Sequence, residues 1–382
     1  PDPFGRRLGP PVPPGPTDAD FIPTDYATGV VIDARGLILT AFHVLGEESD
    51  YFVTTQDRKV YPAWVKAADP RSDLAVLSIE ASDLLPIKLG DASKLRKGQL
   101  VIALGNPYAI ARDGQVSASW GIVSNLARKA PAQPDESDPV GKSTLHHFGT
   151  LDQTDAKLNL GTSAGALVNR RGEMIGLTTS LAASVGYETA AGYAMPVDAT
   201  FRRVIEILKQ GREAEYGYLG VRRPTYPQPA PSNGQSGVLV REVVAGTPAH
   251  QAGLRPGDWI TQVGGVPIYD FDGLVLEVGK LPVEATVRLR VRRDQRTLSM
   301  NVKLTKYPVR GRKIITSRPT AWRGLQIDFP TAVLDSSGRA MFATTAFDAG
   351  VAITEVQEGT SAWKAGLRPG MLVSHVEREQ VH

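Results

Sequence analysis

The chain has no cysteine, which excludes disulfides, thiolate catalysis and thiolate-bound metals without fixing a compartment. It has no excess of one charge: 43 basic against 40 acidic residues leave +3, too balanced to imply a nucleic-acid or membrane partner. No apolar run approaches the roughly 20 residues that span a bilayer as a helix. None of the six histidines pairs at zinc-like spacing, and the adjacent His146 and His147 follow a polar, Pro-rich stretch that reads as loop, so no metal is expected. No Gly-x-x-x-x-Gly-Lys-Ser/Thr is present, and no nucleotide cofactor is expected either. The chain opens on Pro1 rather than Met with no signal peptide in view, which fits a mature form or a remnant of a longer chain.

What is present is length enough for two or three domains, with 42% hydrophobic and 22% charged residues, as in globular proteins. Residues 1–24 are rich in Pro and Gly and read as a loop or tail. From 25 to 212, short apolar runs such as Gly36–Thr40 and Leu100–Leu104 alternate with turn signals, the pattern of a barrel or sandwich. A polar insert at 128–147 reads as a flexible loop. Phe201, Val204, Ile205 and Leu208 recur at helical spacing before Gly211, which predicts a closing helix over 199–210.

The second half carries an internal repeat. The run 241–257 recurs 113 residues later at 354–370, and Ala-Gly-Leu-Arg-Pro-Gly is identical in both. Two copies mean two related domains, over 213–307 and 320–382, joined by a linker at 308–319. The first copy goes on to a helix at 271–280 and strands at 286–292 and 297–304. The second stops at His382, the counterpart of Tyr269, and is expected to be incomplete.

A constellation in the first half carries chemistry. Ser163 sits in Gly161-Thr162-Ser163-Ala164-Gly165, with His43 and Asp73 upstream in the order His, Asp, Ser. A serine hydroxyl is a weak nucleophile and needs a base and an orienter for that base. His43 follows an apolar run, and Asp73 leads another; Asp69 competes with Asp73 by the same logic. Each alone reads as an ordinary surface histidine or turn aspartate. As an ordered set around Ser163 they read as a triad, with the Gly161 and Ser163 N–H groups as oxyanion hole. The same five residues satisfy Gly-x-Ser-x-Gly, but the strand-turn-strand pattern after them does not suit the helix that a nucleophile elbow requires.

These residues resemble the HtrA (Deg) family of serine proteases over nearly the whole chain. Thr154-Asp155-Ala156, Gly161 to Leu167, Leu104-Gly105-Asn106-Pro107 and Gly121-Ile122-Val123-Ser124 carry the likeness. The resemblance implies a mainly β multidomain protein: a trypsin-like double β-barrel, one complete PDZ domain and one truncated one. It implies that His43 is the general base, Asp73 its orienter and Ser163 the nucleophile. A loop at 190–196 (Ala190, Gly192, Tyr193, Ala194) would shape the substrate cleft. Tyr218-Leu219-Gly220-Val221 would hold a peptide's C-terminal carboxylate, with Trp322-Arg323-Gly324-Leu325 as a weaker second copy.

The implied function is ATP-independent cleavage of unfolded or misfolded polypeptide by an exported or periplasmic homotrimer or larger assembly. Three departures matter. Ala164 stands where the family has Gly, and if φ is positive there it costs about 1–2 kcal/mol. Ala166 replaces Pro, and the family's first barrel strand has no counterpart before Pro1. These departures motivate an alternative, a catalytically impaired scaffold that binds peptide. A nucleic-acid reading of Arg288, Arg290, Arg292, Arg293 and Arg296 yields to the wet face of a half-buried strand.

Overall fold

The computed structural model describes Gly15 and residues 26–107, 114–128, 132–135, 138–144, 150–158, 161–179, 192–222, 237–335, 341–342 and 350–381. Ala190, His146, His147 and the rest of the 1–24 stretch lie outside these residues. The chain divides into two compact units. The first holds residues up to Lys66, Leu74–Arg128 and Leu151–Asp198; the second holds Ala67–Asp73, the 132–144 hairpin and everything from Ala199 onward.

In the first unit, β1 (Val30–Asp33) turns back at Ala34–Gly36 into β2 (Leu37–Ala41), whose five residues are all buried. β3 (Tyr51–Thr54) pairs with β4 (Val60–Asp69), and β5 (Leu74–Ile79) lies between β2 and β4 in the order β1-β2-β5-β4. A second sheet closes on itself. It consists of β6 (Leu100–Gly105), β7 (Ser117–Arg128), β10 (Leu151–Thr154), β11 (Ala166–Val168), β12 (Met174–Thr179) and β13 (Gly192–Pro196). Its order is β10-β13-β12-β11-β6-β7, and its interior is filled by Val101, Val123, Leu167, Ile175 and Ala194. A closed barrel leaves no edge to pair with another chain. Between β7 and β10 the predicted flexible loop contains a paired hairpin, β8 (Ala132–Asp135) with β9 (Asp138–Thr144).

In the second unit, helix α1 (Ala199–Lys209) buries Phe201, Val204, Ile205 and Leu208, the stripe its spacing predicts. The first repeat begins with β14 (Gly217–Tyr218). It continues through β15 (Val238–Leu239), a short helix α2 (Pro248–Gln251), β16 (Trp259–Val263), β17 (Val266–Pro267) and helix α3 (Phe271–Gly279). It ends in β18 (Thr286–Arg293), β19 (Arg296–Lys303) and β20 (Thr305–Lys306). Leu274 and Val278 of α3 pack with Val287, Leu289, Val291 and Val302 of the sheet. The predicted linker is not bare: it forms β21 (Ile314–Ile315), paired with Ala68 and Ala67.

The second repeat builds β22 (Leu325–Asp328), β23 (Val351–Val356), α4 (Ser361–Lys364) and β24 (Leu372–Val373). The two copies share hydrogen bonds as well as letters. Thr247 Oγ1 donates to Val244 O at 2.6 Å, and Thr360 Oγ1 to Gln357 O at 2.6 Å. Likewise Val244 N donates to Gly220 O at 2.9 Å, and Gln357 N to Gly324 O at 2.8 Å.

Two polar clusters are buried in the second unit. Asp69 accepts from Ser72 N at 2.9 Å, from Ser72 Oγ at 2.6 Å and from the Tyr216 hydroxyl. Burial pushes the Asp69 carboxyl up, and burial together with Asp69 pushes Tyr216 well above the usual phenol. Beside them the Arg71 guanidinium lies 3.5 Å from the Tyr307 ring centre and 4.9 Å from that of Tyr216. Its nitrogens have no hydrogen-bond partner among the described residues, so the two ring faces are what stabilises the charge.

The other cluster gathers three segments around the buried Lys306 Nζ: Glu213 at 3.0 Å, Glu215 at 3.0 Å and Asp328 at 2.8 Å. Burial alone would pull this ammonium down, but the surrounding carboxylates outweigh burial and hold it raised. Among the described residues no helix is long and apolar enough to cross a membrane. Replacing Lys306 with Met strands the carboxylates it neutralises. The expected loss is about 3 kcal/mol, the low end for breaking a buried pair, read as a shift in urea midpoint at unchanged m-value.

Candidate active site

His43 and Asp73 are placed by two neighbouring strands. β2 runs antiparallel to β5 with Ala41 opposite Leu74, so the chain leaves β2 beside the point where it enters β5. His43 follows β2 in a single 3-10 turn, Phe42–Val44, and is exposed. Asp73 directly precedes β5, is buried, and has φ +56°, a left-handed conformation that aspartate tolerates better than most residues. Asp69, the rival acid, is spent on Ser72 and Tyr216, as its hydrogen bonds show.

Ser163 lies in a turn between β10 and β11, buried with Thr162 and Ala164. That turn is held from both sides by two threonines that the sequence reading passed over. Thr178 Oγ1, on β12, donates to Thr162 O at 2.6 Å and approaches Gly165 O at 3.1 Å. The backbone repeats the link: Ala164 N reaches Thr178 O and Thr178 N reaches Gly165 O, both at 2.8 Å. On the other side, Thr28 N donates to Ser163 O at 3.1 Å and Thr28 Oγ1 donates to Gly161 O at 2.8 Å. Thr28 Oγ1 also accepts from Asn106 N at 3.0 Å. Thr40 Oγ1, on β2, donates to Thr28 O at 3.2 Å. A hydrogen-bonded path therefore runs from the strand that delivers His43 to the backbone of Ser163.

The family-like motifs around the turn have geometric reasons. A Cβ on Gly165 would lie 2.1 Å from Leu104 O, so only glycine lets the turn meet the end of β6. Asp155 accepts from Ile122 N at 2.6 Å, which ties Thr154-Asp155-Ala156 to Gly121-Ile122-Val123-Ser124. Ala164 has φ +64°, the strained conformation anticipated for it, while Gly161 has φ +89°.

The cleft residues are less well placed by sequence reasoning. Gly192, Tyr193 and Ala194 are not loop but barrel strand, paired with Thr154, Gln153 and Asp152 of β10. Ala194 is fully buried in the barrel core and lines no cleft, because the strand's inward face claims it. Asp152, opposite it, is a buried carboxylate that sequence reasoning missed. Burial pushes its pKa up to about 6, the Asp198 charge adds to this, and the Ala127 N–H at 3.2 Å opposes it.

In the first repeat, Tyr218 is the end of β14, Leu219 is buried, and Val221 is bridged to Val243. Gly220 has φ +91°, and a Cβ there would strike Thr247, so this short loop cannot carry a side chain at that point. Trp322, Arg323 and Gly324 form the matching turn of the second repeat, with Trp322 bridged to Leu325. Among the described residues no three His, Asp or Glu side chains gather as a metal site.

Ala164→Gly relieves the left-handed strain and raises stability by about 1 kcal/mol, measured by denaturant unfolding, with activity retained or increased. Asp152 has a folded-state pKa raised above its unfolded value, so its stabilising contribution is full below about pH 4 and is lost as pH rises through about 6. Asp152→Asn removes that component, and thermal melts of the variant should lose less stability than the parent between pH 4 and pH 7.

Residues 27–177 match the family model of trypsin-like peptidase domains, and residues 217–304 that of PDZ domains. The chain is 30% identical to the periplasmic serine endoprotease DegP of Salmonella typhimurium over 359 residues, covering 93% of this chain and 69% of that protein. It is 34% identical to the putative serine protease HhoA of a Synechocystis strain over 315 residues, covering 78% and 74%. Among solved structures, the HtrA-type protease AlgW with a decapeptide superposes with a TM-score of 0.58 at 26% identity, covering 74% of this chain and 83% of that one. The serine endoprotease from Yersinia pestis gives 0.51 at 27% identity, covering 73% and 88%.

Proposed function

The chain belongs to the HtrA/Deg family of serine endoproteases, and from that premise we propose that it cleaves unfolded or misfolded polypeptide through Ser163, His43 and Asp73 without ATP. The observation that carries this reading is the hydrogen-bonded path from Thr40 on β2 through Thr28 to the Ser163 backbone. It ties the strand that ends beside His43 to the turn that presents the serine.

The roles follow from the chemistry of acyl transfer. His43 takes the Ser163 proton as the hydroxyl attacks the scissile carbonyl, and Asp73 orients the imidazole and stabilises its charge. The N–H groups of Gly161 and Ser163 receive the oxyanion, each contributing about 3 kcal/mol of transition-state stabilisation. The His43 imidazolium then gives that proton to the departing amine as the C–N bond breaks and the acyl-enzyme forms. Water attacks the acyl carbonyl, His43 taking its proton as general base and handing it to Ser163 Oγ as the acid product leaves. Tyr193, which points to the opposite side of β13 from Ala194, borders the substrate cleft.

Tyr218-Leu219-Gly220-Val221 receives the carboxylate of a peptide C-terminus, which adds as a strand beside α3. The protein works in the periplasm or another exported location, as the name of its periplasmic relative suggests, and as a homotrimer or larger assembly, as the family resemblance implies. The reading of the chain as an inactive scaffold is not favoured. Ala164 keeps the left-handed backbone that glycine would adopt, so the substitution costs strain without rerouting the turn.

A fluorophosphonate probe should label the folded protein on Ser163, and Ser163→Ala should abolish both labelling and casein cleavage. Folded protein that resists the probe and leaves casein intact would overturn the proposal.

A further inference from the structure

The sheet of the first repeat has two faces with different work. Val287, Leu289 and Val291 of β18 point into the core against α3, and Arg288, Arg290 and Arg292 point the other way. On that outer face the register builds two cross-strand rows, Gln262–Arg290–Ser299 and Trp259–Arg292–Thr297, with Arg288 beside Asn301. A shallow cavity of about 660 Å³ opens over this face, lined by Arg288, Arg290, Gln262, Ser299, Asn301 and Thr297 among others.

The arginines of β18 are not equivalent. Arg293 is committed to the buried Asp258 at 2.7 Å, and Arg292 stands over the Trp259 ring at 5.3 Å. Arg288 and Arg290 face the cavity, exposed, and no described carboxylate pairs with either. On the same hairpin, Glu284 is paired with Lys303, and Asp294 sits at the turn beyond Arg293. A sheet face that holds two such cations in a concavity lined by amides and hydroxyls is built for an anion that also offers hydrogen-bonding groups.

We propose that this groove binds an acidic, extended stretch of polypeptide, a substrate contact separate from the Tyr218–Val221 loop. Side chains two residues apart on a strand stand about 7 Å from each other. Alternate Asp or Glu side chains of an extended peptide have the same spacing as Arg288 and Arg290. The amides of Gln262 and Asn301 and the hydroxyls of Ser299 and Thr297 suit peptide backbone N–H and C=O groups. The lining has no aromatic ring on which a base could stack, which disfavours single-stranded nucleic acid. The identity of the ligand as polypeptide rests on the protease reading; the anion groove itself does not.

The test uses the full chain as Ser163→Ala and a fluorescent twelve-residue peptide of alternating Glu and Ser. The peptide is amidated at its C-terminus so that no carboxylate can enter the Tyr218–Val221 loop. Anisotropy should show binding that weakens as salt is raised. Arg288→Gln combined with Arg290→Gln should weaken it at least tenfold, whereas Arg310→Gln should leave it within twofold. The doubly substituted chain with Ser163 intact should still be labelled on Ser163 by the fluorophosphonate probe, a readout that needs no polypeptide binding, which separates failure of this groove from failure of the protease reading.

Equal binding by the double variant, with its melting temperature unchanged, would overturn the proposal. So would tight, Arg288-dependent binding of inorganic polyphosphate or a single-stranded oligonucleotide with none of the acidic peptide.

Discussion

The catalytic half of this molecule depends on backbone hydrogen bonds that leave the Ser163 turn no freedom. Carbonyls of Gly161, Thr162, Ser163 and Gly165 all find donors on Thr28 or Thr178. A tight turn in a buried position has few partners of its own, and unpaired peptide groups there are costly. Thr28, just ahead of β1, and Thr178 on β12 supply those partners. The proposed nucleophile is thus positioned by what holds the main chain around it, before any side-chain chemistry begins. The same bonds tie β2 of the first sheet to the turn between two barrel strands.

Much of this was legible in the sequence, and the limits are physical. Short, mostly apolar runs bounded by turn signals, such as Gly36–Thr40 and Leu100–Leu104, declare themselves as the strands β2 and β6. The α1 stripe and the two faces of β18 follow from periods of 3.6 and 2. Gly165 and Gly220 were marked by motif, and the structure supplies the clash that demands them. Thr28 and Thr178 were invisible because a threonine in a β-rich chain carries no signature. Their role depends on partners 133 and 16 residues away. Asp69 and Asp73 cannot be separated by position in the sequence alone; the bonds of Asp69 to Ser72 and Tyr216 are what favour Asp73 for the proposed role. Ala194 was misread because barrel strand and cleft loop share small residues, and only register decides which face a residue takes.

The repeat shows how letters and geometry agree at different depths. Identical Ala-Gly-Leu-Arg-Pro-Gly runs mark the relation, yet the feature kept most faithfully is a threonine hydroxyl donating three residues back in each copy. Around that common turn the copies diverge. In the first, Asp258 and Arg293 lock the sheet to the Gly253 carbonyl. In the second, Arg368 folds over the Trp363 ring at 3.7 Å instead. One framework thus accepts either an ion pair or a cation on an aromatic face as its local brace.

Arg71 has a broader implication for how such chains are divided. It belongs by sequence to the segment that matches a peptidase, but its charge is shielded by tyrosines 216 and 307, which lie in and around the first repeat. A protein cut at the conventional module border would leave a bare guanidinium and a carboxyl at Asp69 without their aromatic cover. The unit that evolution can shuffle, or an engineer can excise, is therefore larger than the unit a motif outlines, and its natural seam falls beyond the last of those rings.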